Sequence, residues 1–282
     1  AEAARAGPPP LVAVPPPPPP PPPSAPPAPE EAPESADPET PAPALSPAPA
    51  PAPARPRAAG PSREIVDEAA RARRDEALER IEANLIRHMK RVLQDEQNEV
   101  LDRMRRKRRQ REGTPLLPAD EQAGRYREAA QHLLEEAARA GATFAGGTGR
   151  ADEGAGRETA EALAREIAEP LRERLERSLE GGEPDDRSER AEAVSSVYRQ
   201  WRVQEVERLS RHYVVAAFAR GAYDAYGEGA PLRWVVDDEA PCPDCDDNEL
   251  AGTVVKGERY PTGQLHPPAH PGCCCLLLPN VP

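Results

Sequence analysis

The sequence predicts a mainly α-helical protein with a small C-terminal α+β module, long helices plus a short antiparallel sheet, and a disordered proline-rich N-terminus. Three observations predict this architecture. Of the 38 prolines, 25 lie in residues 1–61. Charged residues make up 30% of the chain and aromatic residues 4%, which is typical of a helical surface around a thin core. Apolar residues recur at helical spacing after residue 61, and short strand-like runs appear after residue 230.

Residues 1–61 contain an unbroken proline run, Pro15 to Pro23, and repeated Pro-Ala pairs. Such a segment has too few large apolar side chains to offset the entropy of ordering, which predicts a disordered, semi-rigid linker. The alternative is a ligand for an aromatic-lined groove. Because the chain starts at Ala1 without methionine, we expect it to be the tail of a longer protein or a processed product.

The sequence predicts that residues 62–186 form a helical region that docks on a partner. Its first helix, about Ser62 to Arg111, has a wide apolar stripe, and Asp95, Glu96 and Glu99 interrupt any strict heptad of a coiled coil. The stripe comprises Leu78, Ile81, Leu85, Met89, Val92, Leu93, Val100 and Met104. Further helices are predicted at 118–140, 157–179 and 187–226, with a glycine-rich connector at 141–156.

The predicted first helix ends in a basic run, Arg103 to Arg111. These cations either complement the negative end of the helix dipole or contact DNA or an acidic protein. The net charge of −12 argues against nucleic-acid binding by the chain as a whole. No segment has the apolar length of a membrane span, so we expect no membrane contact.

Residues 187–282 form the last predicted domain. Short strands are predicted at 232–236, 253–255 and 276–278, and they form a small sheet packed on the fourth helix. All five cysteines lie here, in the patterns Cys242-Pro-Asp-Cys245 and His270-Pro-Gly-Cys273-Cys-Cys275. A Cys-x-x-Cys turn places two thiolates on one side of a loop, and a second cluster completes a tetrahedral structural zinc site.

Five ligands are predicted for the four places at the zinc ion. Cys242 and Cys245 are joined by two of Cys273, Cys275 and His270, with Cys273 and Cys275 preferred. A disulfide set is less consistent with an odd number of cysteines. A redox pair needs a Cys-x-x-Cys that opens a helix after a strand, and the flanking prolines and acidic residues argue against it. Residues 231–282 hold eight acidic and three basic residues, which opposes contact with phosphates.

The order of motifs resembles the C-terminal part of the phage Mu F-like minor head proteins, the head-morphogenesis family of tailed phages. The resemblance covers about residues 190–280. Its motifs are Trp234 with Asp237 and Asp238, Cys242 to Cys245, Gly252, Tyr260-Pro-Thr-Gly263 and Pro268 to Cys275. One position departs from the family pattern, because Cys274 stands where the family has an arginine between its last two cysteines.

The resemblance implies a non-enzymatic minor capsid protein that acts in head assembly or DNA delivery. It implies the portal protein and other head proteins as partners, and a location in the virion interior or in the host cytoplasm during assembly. A fusion to the portal protein is a further hypothesis. Two other classes of function stay open. One is a zinc-dependent enzyme or toxin, and the other is a DNA-binding module that uses Arg103 to Arg111.

Overall fold

The computed structural model describes residues 62–106, 114–147, 153–180, 187–237 and 242–280. The predicted linker at 1–61 lies outside these residues, as do positions 107–111 of the basic run. The described residues belong to one compact unit. They are mainly helical with a small antiparallel sheet near the C-terminus, which confirms the predicted fold class.

The helices and strands follow in the order predicted from the sequence, with one short helix added and the predicted fourth helix divided in two. The helices are α1 (Arg63–Arg106), α2 (Ala119–Phe144), α3 (Glu153–Glu180), α4 (Arg187–Gln200), α5 (Val206–Ala225) and α6 (Pro243–Leu250). The strands are β1 (Pro231–Val235), β2 (Thr253–Val255) and β3 (Leu276–Pro279). None of the described helices is long and apolar enough to cross a bilayer.

The apolar stripe of α1 is buried within the chain itself. Leu85, Met89 and Leu93 are fully buried against residues of α2, α3 and the later helices. The long helix therefore uses its stripe as part of the chain's own core, and the stripe is not a free surface for a partner. Burial of this amphipathic face is what stabilises so long a helix, because propensity alone contributes little.

Helices α2 and α5 cross closely at two glycines. A Cβ atom at Gly221 would lie 1.9 Å from the carbonyl oxygen of Ala138, and one at Gly141 would lie 1.9 Å from that of Phe218. The prediction of a connector at 141–156 was wrong at both ends, since α2 continues to Phe144 and α3 begins at Glu153. Gly141 is a contact point inside a helix, where packing outweighs the low helix propensity of glycine.

The predicted fourth helix is two helices joined by a π-helical turn. The turn spans Trp201–Glu205 between α4 and α5, and the side chain of Trp201 is buried. A single π turn inserts one residue into an α-helix and so rotates the face that follows. Periodicity read from the sequence does not distinguish this from one continuous helix.

The sheet has the order β2-β1-β3, with both pairs antiparallel. Arg233 lies opposite both Thr253 and Leu278, which fixes the register on each side. Alternate residues point to opposite faces. Val235, Leu276 and Leu278 join the helical core, while Leu232, Trp234 and Leu277 form a second cluster with the cysteines. One face of the sheet therefore packs on the helical core and the other on the cysteine-bearing module. Strand β3 contacts α5, the second part of the predicted fourth helix.

Candidate metal site

The first half of the site is the N-terminus of α6. Cys242 is the residue before the helix, Pro243 occupies its first turn, and the amide of Cys245 donates to the Cys242 carbonyl oxygen at 2.9 Å. Proline is favoured at the first helical position because its missing N–H has no partner there in any case. The Cys-x-x-Cys motif does open a helix after a strand, so the expectation that its neighbours prevent this was wrong.

The second half is the loop that precedes β3. Gly272 has a φ of +84°, a conformation that favours glycine, and the amide of Cys273 donates to the His270 carbonyl oxygen at 3.1 Å. This turn directs His270 and Cys273 towards α6. Cys275 is the last residue before the strand and is 3% exposed.

All five predicted ligands come together in two groups that share Cys245. The first group is Cys242, Cys245 and His270, and the second is Cys245, Cys273 and Cys275, with the ligand atoms in each group within 4.8 Å of one another. The sulfurs of Cys245 and Cys273 are 3.7 Å apart, and Nε2 of His270 is 3.3 Å from the sulfur of Cys245. Zinc–sulfur bonds of about 2.3 Å in a tetrahedron place sulfurs about 3.8 Å apart. The residues therefore fit a metal ion.

The three buried thiols interact strongly with one another. A hydrogen bond from Cys275 is the main reason that the pKa of Cys273 falls to about 5, and further donors also favour its thiolate. Burial raises the pKa of Cys245 to about 12, and the same hydrogen bond raises the pKa of Cys275. Because metal ligands are thiolates, a bound cation would displace the protons that these buried thiols hold.

The remaining motif residues build the wall of the site. The rings of Trp234 and Tyr260 meet edge to face at 5.0 Å, in the same buried cluster as Cys245, Cys273 and Cys275. Asn248 of α6 is fully buried and donates to Oγ1 of Thr262 at 2.8 Å, which ties α6 to the Tyr260 to Gly263 turn. Motifs that are separate in the sequence therefore pack around the candidate ligands and tie the two halves of the site together.

Cys274 lies outside both ligand groups, and its environment was not foreseen. The guanidinium of Arg74, on α1, donates to the Cys274 carbonyl oxygen and lies 3.5 Å from Oδ2 of Asp237. An arginine from 200 residues earlier thus occupies the place beside Cys274. Nothing in the sequence distinguished Arg74 from the many other arginines of α1. Only the tertiary fold shows that this arginine is buried.

His266 belongs to neither ligand group. Its ring packs on Tyr223 at 5.2 Å, and burial lowers its pKa. A catalytic zinc would need a general base nearby, and two glutamates lie close to the cysteines in the sequence. Of these, Glu239 lies outside the described residues, and Glu249 is exposed on α6.

Comparison of the chain with protein-family models, curated proteins and solved structures gives no match.

Proposed function

We propose that the cysteine module binds one structural zinc ion. The carrying observation is the convergence of five Cys and His ligand atoms around Cys245. Soft thiolates with one imidazole suit zinc better than magnesium or calcium, which take oxygen ligands. The module is too small to bury a large core of its own, so the metal contributes much of its folding free energy.

The ligands we propose are the three buried thiolates, from Cys245, Cys273 and Cys275, together with His270. Nδ1 of His270 lies 3.0 Å from the Pro271 carbonyl oxygen, which favours a proton on Nδ1 and leaves the Nε2 lone pair free. A histidine in place of a fourth thiolate also leaves less negative charge in an acidic module. Cys242, half-buried at the edge of the group, is then the surplus thiol.

Metal analysis of the purified chain tests this proposal. We expect about one zinc per chain, and a tetrahedral cobalt spectrum whose sulfur-to-cobalt charge-transfer band reports the number of thiolates. Cys245→Ser and His270→Ala should weaken zinc binding strongly, while Cys242→Ser should not. Cys274→Ser is the matched control, because it removes a neighbouring thiol from outside both groups. Loss of zinc in Cys242→Ser but not in His270→Ala would refute the ligand set, and no zinc in the wild type would refute the site.

We further propose that the chain is a minor head protein of a tailed phage or prophage, associated with the portal. The support is the motif order that resembles the Mu F-like family, together with the way its separate motifs meet in one module. Trp234, Tyr260 and the three buried cysteines share one cluster although they are spread over some forty residues. A closed, thiolate-rich clip of this kind suits a structural role and no catalytic step.

The test is the protein inventory of purified particles. Mass spectrometry of virions induced from the host should detect peptides from residues 187–282, at low copy number relative to the major capsid protein. Cross-linking before disruption should join them to the portal. Virions that lack this chain would overturn the proposal.

The two other classes of function gain less support. Within the described part of the basic run, Arg103 pairs with Glu99, and Arg105 and Arg106 both pair with Asp102 on the same helix. These ion pairs reduce the charge available for phosphates. A catalytic zinc needs an open coordination place, whereas this module offers more ligands than the ion requires.

A further inference from the structure

Arg74 is buried at the junction between α1 and the metal loop. The whole residue is 4% exposed, and its guanidinium meets the carbonyl oxygen of Cys274 and the carboxylate of Asp237. Its Nε also donates to Asp75 at 2.8 Å. A buried guanidinium requires such partners, because an unpaired buried charge is costly.

Two more polar contacts join the same face of α1 to the sheet. Arg71 donates to the Val236 carbonyl oxygen at 3.1 Å, and Arg233 of β1 donates to Asp67 at 2.8 Å in a two-bond ion pair. Positions 67, 71 and 74 follow helical spacing and so lie on one face. The first three turns of α1 are therefore held on the sheet largely by polar side-chain contacts, with Ala70 as their one residue in the described core, whereas from Leu78 onward the core holds the helix.

The acceptor of Arg74 lies between two proposed zinc ligands. When Cys273 and Cys275 bind one ion, the peptide group of Cys274 between them has a fixed position. Without the ion, the loop keeps its hydrogen bonds and its packing but loses the bridge between the two thiolates, so the carbonyl group is held less firmly opposite Arg74. Zinc binding and the docking of Arg74 both depend on the position of this peptide group. They are therefore thermodynamically linked, and each strengthens the other by the same factor.

We infer that Arg74 is a positioning residue for the metal site and that metal binding, in turn, docks the first three turns of α1 on the sheet. The inference rests on the zinc site proposed above. Arg74 holds the Cys273–Cys275 loop in the conformation that binds the ion, and the ion holds the carbonyl group that Arg74 needs.

The coupling would control the surface beside the start of α1. A groove of about 710 Å³ lies between this helix and the sheet, with Ile65 and Val66 on one side and Phe144, Leu278 and Pro279 on the other. Ile65 and Val66 are 58% and 42% exposed. Because α1 forms one wall, release of its first turns removes the groove.

Hydrogen exchange of the full chain, with and without zinc, tests the inference without any mutation. Removing zinc with a chelator should speed exchange in peptides from residues 63–78, while peptides from residues 85–100 of α1 should change little. Coupling between two sites is ordinarily worth about 5- to 150-fold. We therefore expect Arg74→Ala to weaken zinc binding by about this factor, with partial rescue in Arg74→Lys.

Arg80→Ala is the matched control, since Arg80 lies on the same helix but is exposed and pairs with Glu136, away from the metal loop. It should bind zinc like the wild type. If the chain binds one zinc but exchange at 63–78 is unchanged by its removal, the inference is wrong and the zinc site stands. If the wild type binds no zinc, both are wrong. Should Arg74→Ala fail to fold, the exchange of the wild-type chain still decides the matter.

Discussion

The buried carboxylate of Glu96 offers the sharpest test of how the helical core is held together. Glu96 is 1% exposed and accepts hydrogen bonds from Tyr126 at 2.5 Å, from Tyr198 at 2.8 Å and from Gln122 at 2.6 Å. These partners come from α2 and α4, so one side chain of α1 joins three helices. Its place in the sequence suggested only an interruption of the apolar stripe.

Glu96→Ala removes the acceptor of three buried donors. Each donor left without a partner costs about 1–3 kcal/mol, and water that enters the new space recovers part of that cost. We expect the free energy of unfolding to fall by about 4 kcal/mol, a large part of the total of about 5–15 kcal/mol for a domain. Glu96→Gln should cost about 1 kcal/mol or less, because its amide oxygen still accepts from Gln122 and Tyr198.

Urea denaturation at pH 7 with a fixed zinc concentration gives these free energies, and circular dichroism checks that the variants are helical. Glu128→Ala is the control, since Glu128 is an exposed glutamate of α2 whose side chain is 75% accessible. It should change stability by less than about 0.5 kcal/mol. A loss below about 1 kcal/mol in Glu96→Ala would show that the three donors find other partners and that the reasoning is wrong.

The same carboxylate predicts a pH dependence. Burial raises the pKa of Glu96 above its usual 4.5, so the folded state holds this proton more tightly than the unfolded state. The Glu96 contribution therefore increases stability as pH falls from neutral through the raised pKa, and it is complete below 4.5. As pH falls from neutral through the raised pKa, the free energy of unfolding of the wild type should therefore increase relative to that of Glu96→Gln. A difference that is constant with pH would contradict the assignment.

Three further predictions concern packing and the metal. Gly221→Ala should lower the melting temperature sharply, because its Cβ would lie 1.9 Å from the Ala138 carbonyl oxygen, whereas Gly124→Ala, with nothing within 4 Å, should be neutral or slightly stabilising by thermal unfolding. Zinc should change the tryptophan emission of the chain in Trp201→Phe but not in Trp234→Phe, because only Trp234 packs in the cysteine cluster. A chelator should lower the unfolding temperature at neutral pH, and an unchanged temperature would count against a structural ion.

Much of the architecture was predictable because local patterns carried it. The stripe of α1, the glycine and proline breaks and the short β-branched runs gave element type and order to within a few residues. The errors arose where packing overrides local preference. Gly141 stays helical because it allows α5 to approach, and the π turn at Trp201 leaves no mark in the apolar spacing. The α6 helix was missed because eight residues with four acidic side chains have little helical periodicity to read.

The candidate metal site was likewise predictable in its local features but not in its tertiary contacts. Spacing alone identified the five candidate ligands, since Cys-x-x-Cys and His-x-x-Cys turns bring donors together locally whatever the fold around them. Their grouping about Cys245, and the approach of Arg74 to Cys274, depend on contacts between residues 25 and 200 positions apart. Sequence determines which side chains have suitable chemistry and which local turns they form. Only the tertiary structure decides which of them share a buried environment, because burial and charge pairing arise from distant segments that pack together.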